Sequence, residues 1–213
     1  MRGFALGYER LCRIVLLVFV VNVAFVAHTL AGLVVVGLFP SVSASYATYR
    51  TWALDADQSW GVRRSWTVFH RAWRDDITSA NAFGWPQMLV VVLLLWDYFL
   101  ANSNAMGVLG IAVSGILLLV NVLVLLICAV SWAVRSNFDE RPWWVIRMSV
   151  AMVIARPLLT VIVAALVVTV AAAWIKWPGI LMTFGLGVPI FLIVMAVYSF
   201  GGLPGMDAHE NAH

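Results

Sequence analysis

Apolar residues in this chain occur in long, nearly unbroken runs rather than in an alternating pattern. Five runs approach the length of about 20 residues that a helix needs to cross a bilayer; they cover residues 14–39, 85–102, 106–134, 157–175 and 178–200. Runs two and three, and runs four and five, are joined by very short connections, which predicts two helical hairpins. We therefore expect an all-α fold: a polytopic membrane helical bundle of about five transmembrane helices in a single domain, residues 1–200, followed by a flexible polar tail over residues 201–213.

The end of the first run carries a strong local signal. It closes with Gly37 and Pro40 and passes into small residues that include Tyr46 and Trp52. Proline removes a backbone donor and clashes with the preceding helical turn, so we interpret Gly37 and Pro40 as a structural break that stops the first span. The tyrosine and tryptophan beyond it are typical of a membrane–water boundary.

Two longer connections, residues 41–84 and 135–156, hold most of the charge. Within Arg64–Ala80, apolar residues recur at helical spacing with arginines opposite, which is typical of an amphipathic helix lying at the membrane interface. Pro142–Ala155 predicts a second interfacial helix that continues into the fourth span through a break at Arg156 and Pro157.

Composition supports the same class. Hydrophobic residues make up 63% of the chain and charged residues 11%, against roughly 45–50% and about 25% in soluble domains. We expect the lipid bilayer as the main partner and no nucleic acid. Cys12 and Cys128 show no metal-binding or redox spacing and are interpreted as small buried hydrophobes.

The distribution of positive charge predicts an orientation. With five spans the two long connections share one side, and together they carry nine of the 13 Lys and Arg residues. The remaining four, three of them before the first span, lie on the other side. By the positive-inside rule, connections 41–84 and 135–156 are predicted to be cytoplasmic.

Four polar residues fall inside predicted spans: Asn22, His28, Asp97 and Asn121. An ionisable group at membrane depth is a candidate for a transport or proton-relay site. The alternative is that His28 is a satisfied polar group, and that Asp97, near the end of its span, is reached by water or lipid headgroups or pairs with Arg156 across the bundle.

Catalytic motifs are absent from the sequence. We find no phosphate-binding glycine loop, no metalloprotease motif and no nucleophile elbow. The adjacent carboxylates Asp75–Asp76 and Asp139–Glu140 diverge on a helix and are interpreted as solvated charges. We therefore expect no enzymatic activity, no catalytic residues, no metal site and no small-molecule cofactor.

Two clusters of tryptophan and arginine are candidate partner surfaces, because these residues dominate interface hot spots. They are Trp66, Phe69, Arg71 and Trp73 in the first connection, and Trp143, Trp144 and Arg147 in the second. The alternative is plain packing at the membrane interface.

Taken together, these residues resemble a known group, the YesL family of bacterial membrane proteins, also called the domain of unknown function 624. The resemblance rests on an asparagine in the first span, a Gly-x-x-Pro motif, and small residues with a tyrosine and an Arg-Trp pair; here these are Asn22, Gly37, Pro40, Ala44, Tyr46, Arg50 and Trp52. The aromatic segment 68–73 is similar to a phenylalanine-rich segment of the family, while Asp75–Asp76–Ile77 departs from its pattern.

The resemblance implies location in a bacterial cell membrane and a role as an accessory to sugar uptake, since members are frequently encoded beside carbohydrate ABC importers. It assigns no catalytic residue. The expectation is a non-enzymatic accessory or regulatory subunit that contacts ABC permease subunits. An autonomous transporter or channel that uses Asp97, Asn121 and His28 is one alternative, and a membrane scaffold for an enzyme is another.

Overall fold

The computed structural model describes residues 2–103, 107–177, 179 and 185–201. Within these residues the regular secondary structure is helical, which confirms the all-α class. The helices are α1 (Arg2–Ala31), α2 (Leu38–Leu54), α3 (Val62–Asp75), α4 (Ile77–Ser103), α5 (Gly107–Asn137), α6 (Pro142–Ala155), α7 (Pro157–Lys176) and α8 (Gly187–Phe200).

Four of these helices are long and apolar enough to cross a membrane: α4, α5, α7 and the part of α1 that begins at Tyr8. Helices α6 and α8 are apolar but have only 14 residues each. The predicted fifth span, residues 178–200, is described only at residue 179 and from residue 185 onward. Of the predicted tail, Gly201 alone lies among the described residues.

The predicted end of the first span is wrong. Helix α1 ends at Ala31 rather than Phe39, and a tight turn over residues 32–37 precedes α2. Gly32 and Gly37 pack backbone to backbone there, since a β-carbon on Gly32 would lie 2.3 Å from Cα of Gly37. Leu33 and Val34 adopt positive φ angles of 53° and 64°, a conformation that costs roughly 1 kcal/mol or more per residue.

Pro40 therefore has a different role from the one predicted. It lies in the first turn of α2, where backbone N–H groups have no partner inside the helix and their loss costs little. Gly37 does stand at the break, directly before α2. Proline here is accommodated at the beginning of a helix and does not stop one.

Other boundaries also shift. The second span begins at Ile77 rather than Trp85, and Pro86 lies inside α4. The predicted amphipathic helix Arg64–Ala80 is divided at Asp76 into α3 and the beginning of α4. The second interfacial helix coincides with α6, and the backbone breaks at Arg156 before Pro157 begins α7.

Helix α2 forms the centre of the fold, although the sequence places it in a charged connection. It contacts α1, α3, α4, α5 and α8. Its buried positions are mostly small or aromatic, including Ser41, Ala44, Tyr49 and Trp52. Small side chains let the neighbouring helices approach closely, so part of connection 41–84 is core rather than surface.

Candidate functional site

A polar cleft of about 520 Å³ lies where α2, the junction of α3 and α4, the end of α5 and the beginning of α6 meet. At its base Arg135 forms a bidentate ion pair with Asp76: Nη1 lies 2.6 Å from Oδ2 and Nη2 lies 2.7 Å from Oδ1. Both side chains are mostly buried, with exposed fractions of 17% and 24%. The pair joins two segments that are 59 residues apart in sequence.

Two serines complete this ion pair. Arg135 donates to Ser43 Oγ at 2.9 Å and to Ser79 Oγ at 2.8 Å, while Ser43 donates in turn to Asp76 Oδ2 at 2.5 Å. The guanidinium also lies 5.4 and 5.5 Å from the ring centroids of Phe83 and Trp132, within cation–π range. Both carboxylate oxygens accept hydrogen bonds, so the arrangement joins α2, α4 and α5 to the turn between α3 and α4 and forms a polar wall.

A second polar junction lies in the same cleft and centres on Asn137. Arg50 Nε donates to Asn137 Oδ1 at 2.9 Å, and the Tyr198 hydroxyl donates to the same oxygen. Asn137 Nδ2 donates to the Ala133 carbonyl at 2.7 Å. This residue therefore connects α2, α5 and α8 at one point.

The cleft residues correct one interpretation of the sequence. Asp76 is not a solvated charge, because it pairs with Arg135. Asp75, Asp139 and Glu140 are exposed, as expected of solvated charges. Asp75 ends α3 and Asp76 lies in the turn before α4, so the two carboxylates point in different directions and only Asp76 meets Arg135.

His28 lies at the centre of an aromatic cluster between α1 and α3. The ring centroids of Trp66, Phe69, His70 and Trp73 lie 5.1–5.3 Å from the centroid of its own ring. His28 Nε2 lies 2.9 Å from His70 Nδ1, and His28 Nδ1 lies 2.8 Å from the Ala24 carbonyl oxygen. A carbonyl can only accept, so Nδ1 of a neutral His28 carries the proton and its Nε2 accepts from His70.

This cluster overturns half of the predicted partner surface. Phe69 is fully buried, Trp73 is partly buried against His28, and only Trp66 and Arg71 keep substantial exposure. Helix α3 packs against both α1 and α2, so its apolar face is covered within the chain. On α6, by contrast, Trp143 is 75% exposed and Arg147 is exposed, while Trp144 packs against Phe138.

The four intramembrane polar residues do not converge. Asn22 is buried near the beginning of α8. A β-carbon added at Gly187 would lie 3.2 Å from the β-carbon of Asn22. Asn121 donates to the Leu94 and Leu117 carbonyls and so joins α4 to α5. Asp97 is exposed on α4. With His28 held in the α1–α3 cluster, the four side chains lie in separate parts of the fold and do not line one shared path.

Sequence reasoning missed His70, Asp76 and Arg135 as site residues. His70 lies 42 residues from His28 and Asp76 lies 59 residues from Arg135, so no local spacing reveals either pair. One signal was available: His70 follows Phe69 on the predicted amphipathic face, beside the residues already singled out. Among the described residues, no group of three His, Cys, Asp or Glu side chains is placed to hold a metal ion.

Comparisons with known proteins agree with the resemblance seen in the sequence. Residues 18–98 match a family model described as "Protein of unknown function, DUF624". The chain is 25% identical to a Bacillus subtilis (strain 168) protein described as "Uncharacterized protein YesL", over 204 residues that cover 96% of this chain and 93% of the relative. No solved structure matches the chain. The family match spans the His28 cluster and Asp76, whereas Arg135 lies outside it.

Proposed function

We propose that this chain, a YesL-like protein, is a non-enzymatic accessory or regulatory subunit that associates with the permease subunits of a bacterial carbohydrate ABC importer. The family resemblance supplies the class of partner. The structural support is the unequal burial of the apolar helices.

The apolar helices differ in how much of their surface is already covered within the chain. In the apolar stretch of α1 half of the residues are buried within the chain, whereas in α4, α5 and α7 only 11% are. Exposed apolar side chains on these three helices include Leu89, Ile111, Ile116, Val161 and Val168. Such faces pack against lipid or against other transmembrane helices, and a permease pair offers helices of this kind.

A smaller surface lies at the beginning of α6. Trp143 and Arg147 are four residues apart, so they share one helical face, and both are exposed. Exposed tryptophan and arginine side chains are the residue types that contribute most to interfaces. This face is the remaining candidate for contact with a permease outside the bilayer core.

The proposal is tested by purifying the tagged protein in mild detergent from its native membrane and identifying co-purified proteins by mass spectrometry. We expect two permease subunits and their ATPase. A photo-crosslinking residue placed at Val168 on α7 tests direct contact, and Thr67, exposed on the polar part of α3, is the matched control position. We expect permease crosslinks from position 168 and none from position 67.

The α6 surface is tested separately with Trp143→Ala combined with Arg147→Ala, against Arg141→Ala as an exposed control. The double variant should reduce the recovered permease while the control does not. Recovery of the chain without any permease subunit, or with a soluble enzyme instead, contradicts the proposal. Solute flux by the purified protein alone in liposomes would favour the autonomous transporter.

A further inference from the structure

An apolar groove of about 300 Å³ opens beside the polar cleft. It runs between α4, α5 and α6, and its walls include Val90, Val124 and Ile127. Phe83 and Pro142 line both the groove and the cleft. The two cavities are therefore neighbours that share walls, one polar and one apolar.

Their positions along the helices match the depth of a membrane leaflet. The cleft lies at the beginning of α4 and the end of α5, where both candidate spans begin or end. The groove continues along the same two helices as far as Val90 and Val124. Eleven residues separate Ser79 in the cleft from Val90, a rise of roughly 16 Å along a helix. Half of the hydrocarbon core of a bilayer is about 15 Å thick.

The charges that line the cleft restrict its ligand. They are Arg50, Arg135, Asp76, Asp139 and Glu140. Arg135 and Asp76 neutralise each other through their bidentate pair. The remaining set is one guanidinium and two exposed carboxylates, which suits a ligand with one anionic and one cationic group rather than a purely anionic one.

We propose that the cleft and groove together bind a phospholipid with an amine headgroup, of the phosphatidylethanolamine type, from the surrounding membrane. Arg50 interacts with the phosphate, and Asp139 and Glu140 interact with the ammonium. One acyl chain lies in the groove between α4 and α5. This site is independent of the proposed permease contact, because it uses a lipid and no second protein.

The test uses the full chain purified in detergent and incubated with equal amounts of phosphatidylethanolamine and phosphatidylglycerol of the same acyl chains. Native mass spectrometry then counts the lipids that remain bound. We expect phosphatidylethanolamine to be retained about tenfold over phosphatidylglycerol, the factor expected when one charge-assisted contact is lost. Equal retention of the two lipids, or a preference for phosphatidylglycerol, overturns the proposal.

Matched variants separate the two halves of the site. Asp139→Asn combined with Glu140→Gln should abolish the preference, whereas Asp75→Asn, an exposed carboxylate outside the cleft, should leave it unchanged. Val90→Trp fills the groove and should reduce retention of both lipids. The control is Val92→Trp, which should leave retention unchanged. Val92 lies on the same helix and is 50% exposed, against 48% for Val90. Unchanged preference in the double acidic variant, or equal effects of the two tryptophan variants, also overturns the proposal.

Discussion

At the scale of single residues, Asp75 and Asp76 show how neighbours in sequence acquire different roles. Asp75 is exposed, while Asp76 is partly buried and accepts three hydrogen bonds, two from Arg135 and one from Ser43. The sequence predicts that the two side chains diverge, but it cannot predict that an arginine 59 residues away faces one of them. Such a partner is set by helix packing and not by local spacing.

Asp76→Asn should destabilise the protein. The substitution leaves Arg135 mostly buried without a counter-charge, and breaking such a pair costs several kcal/mol when burial is complete. At the partial burial seen here we expect about 1–3 kcal/mol, which corresponds to a decrease in the apparent Tm of roughly 2–12 °C for a chain of this size. Scanning fluorimetry in detergent at a fixed heating rate measures this decrease in the apparent Tm.

The matched control is Asp75→Asn, which removes the same charge from an exposed neighbour. We expect a change within about 0.5 kcal/mol for this surface substitution. If both variants melt at the same temperature as the unmodified protein, the Asp76–Arg135 pair does not brace the fold.

The loop before α3 should lose stability in acid, because its structure depends on the ionised carboxylate of Asp55. A hydrogen bond from the backbone N–H of Asp57, one from Trp60 Nε1 and the nearby Arg64 guanidinium lower the pKa of Asp55 below its ordinary value of 3.8. Because the folded-state pKa is lowered, the stabilisation is present above pH 3.8 and is lost as the pH falls through the folded-state pKa. We expect amide protection over residues 55–64 to fall only in that acidic range.

Hydrogen exchange measured as protection factors, which corrects for the pH dependence of intrinsic exchange, tests this expectation. Asp55→Asn should show the reduced protection already at neutral pH. Gradual loss of protection between pH 8 and pH 5 would argue against a carboxylate of lowered pKa.

At the scale of elements, helix boundaries were predictable where proline coincides with a change of composition. Pro142 and the Arg156–Pro157 step bound α6 as predicted. The break after α1 was misplaced, because two glycines that pack on each other form the turn and two ordinary residues adopt positive φ within it. An unbroken run of apolar residues contains no signal for that turn.

Amphipathic periodicity identified the apolar face of α3 but not what covers it. A lipid surface and a neighbouring helix favour the same apolar residues. The structure shows that α1 and His28 cover this face. The contact includes two histidines 42 residues apart, and periodicity within α3 alone does not indicate that they meet.

The contact between α2 and α4 depends on the absence of a side chain at Gly84. A β-carbon there would lie 2.1 Å from Cδ1 of Phe39, and Phe39 is only 8% exposed. We expect Gly84→Ala to destabilise the protein by about 1–3 kcal/mol, because the ring has little room to move. The apparent Tm in detergent again measures the effect.

Gly115 on α5 supplies the matched control, since a β-carbon there would meet nothing within 4 Å. Gly115→Ala should be neutral or stabilising by up to about 1 kcal/mol, because alanine loses less entropy in a helix. Equal effects at the two positions would show that α4 does not pack against Phe39 as described.

At the scale of the whole molecule, the two long connections are parts of one structure. The Asp76–Arg135 pair and the Arg50–Asn137 hydrogen bond join segment 41–84 to segment 135–156. Charged and polar groups that bond directly to one another lie on the same side of a membrane. These bonds favour the shared side predicted from the count of spans, which stays a prediction, as does the assignment of that side to the cytoplasm from charge bias.

Cysteine labelling tests the orientation. In a background with Cys12→Ser and Cys128→Ser, single cysteines are placed at Glu140, beside the cleft, and at Asn102, near the other end of α4; both positions are exposed. Helix α5 separates them and is long enough to cross the membrane. A thiol reagent that does not enter intact cells should therefore label one position and not the other.

We expect Asn102→Cys to react in intact cells and Glu140→Cys to react only after the membrane is permeabilised. The reverse pattern would place the nine positive charges of the two connections outside, against the charge bias that retains arginine in the cytoplasm. Reaction of both cysteines in intact cells would instead mean that α4 and α5 do not cross the bilayer. The lipid site would then have no leaflet to draw from, so this measurement constrains orientation and the proposed lipid site together.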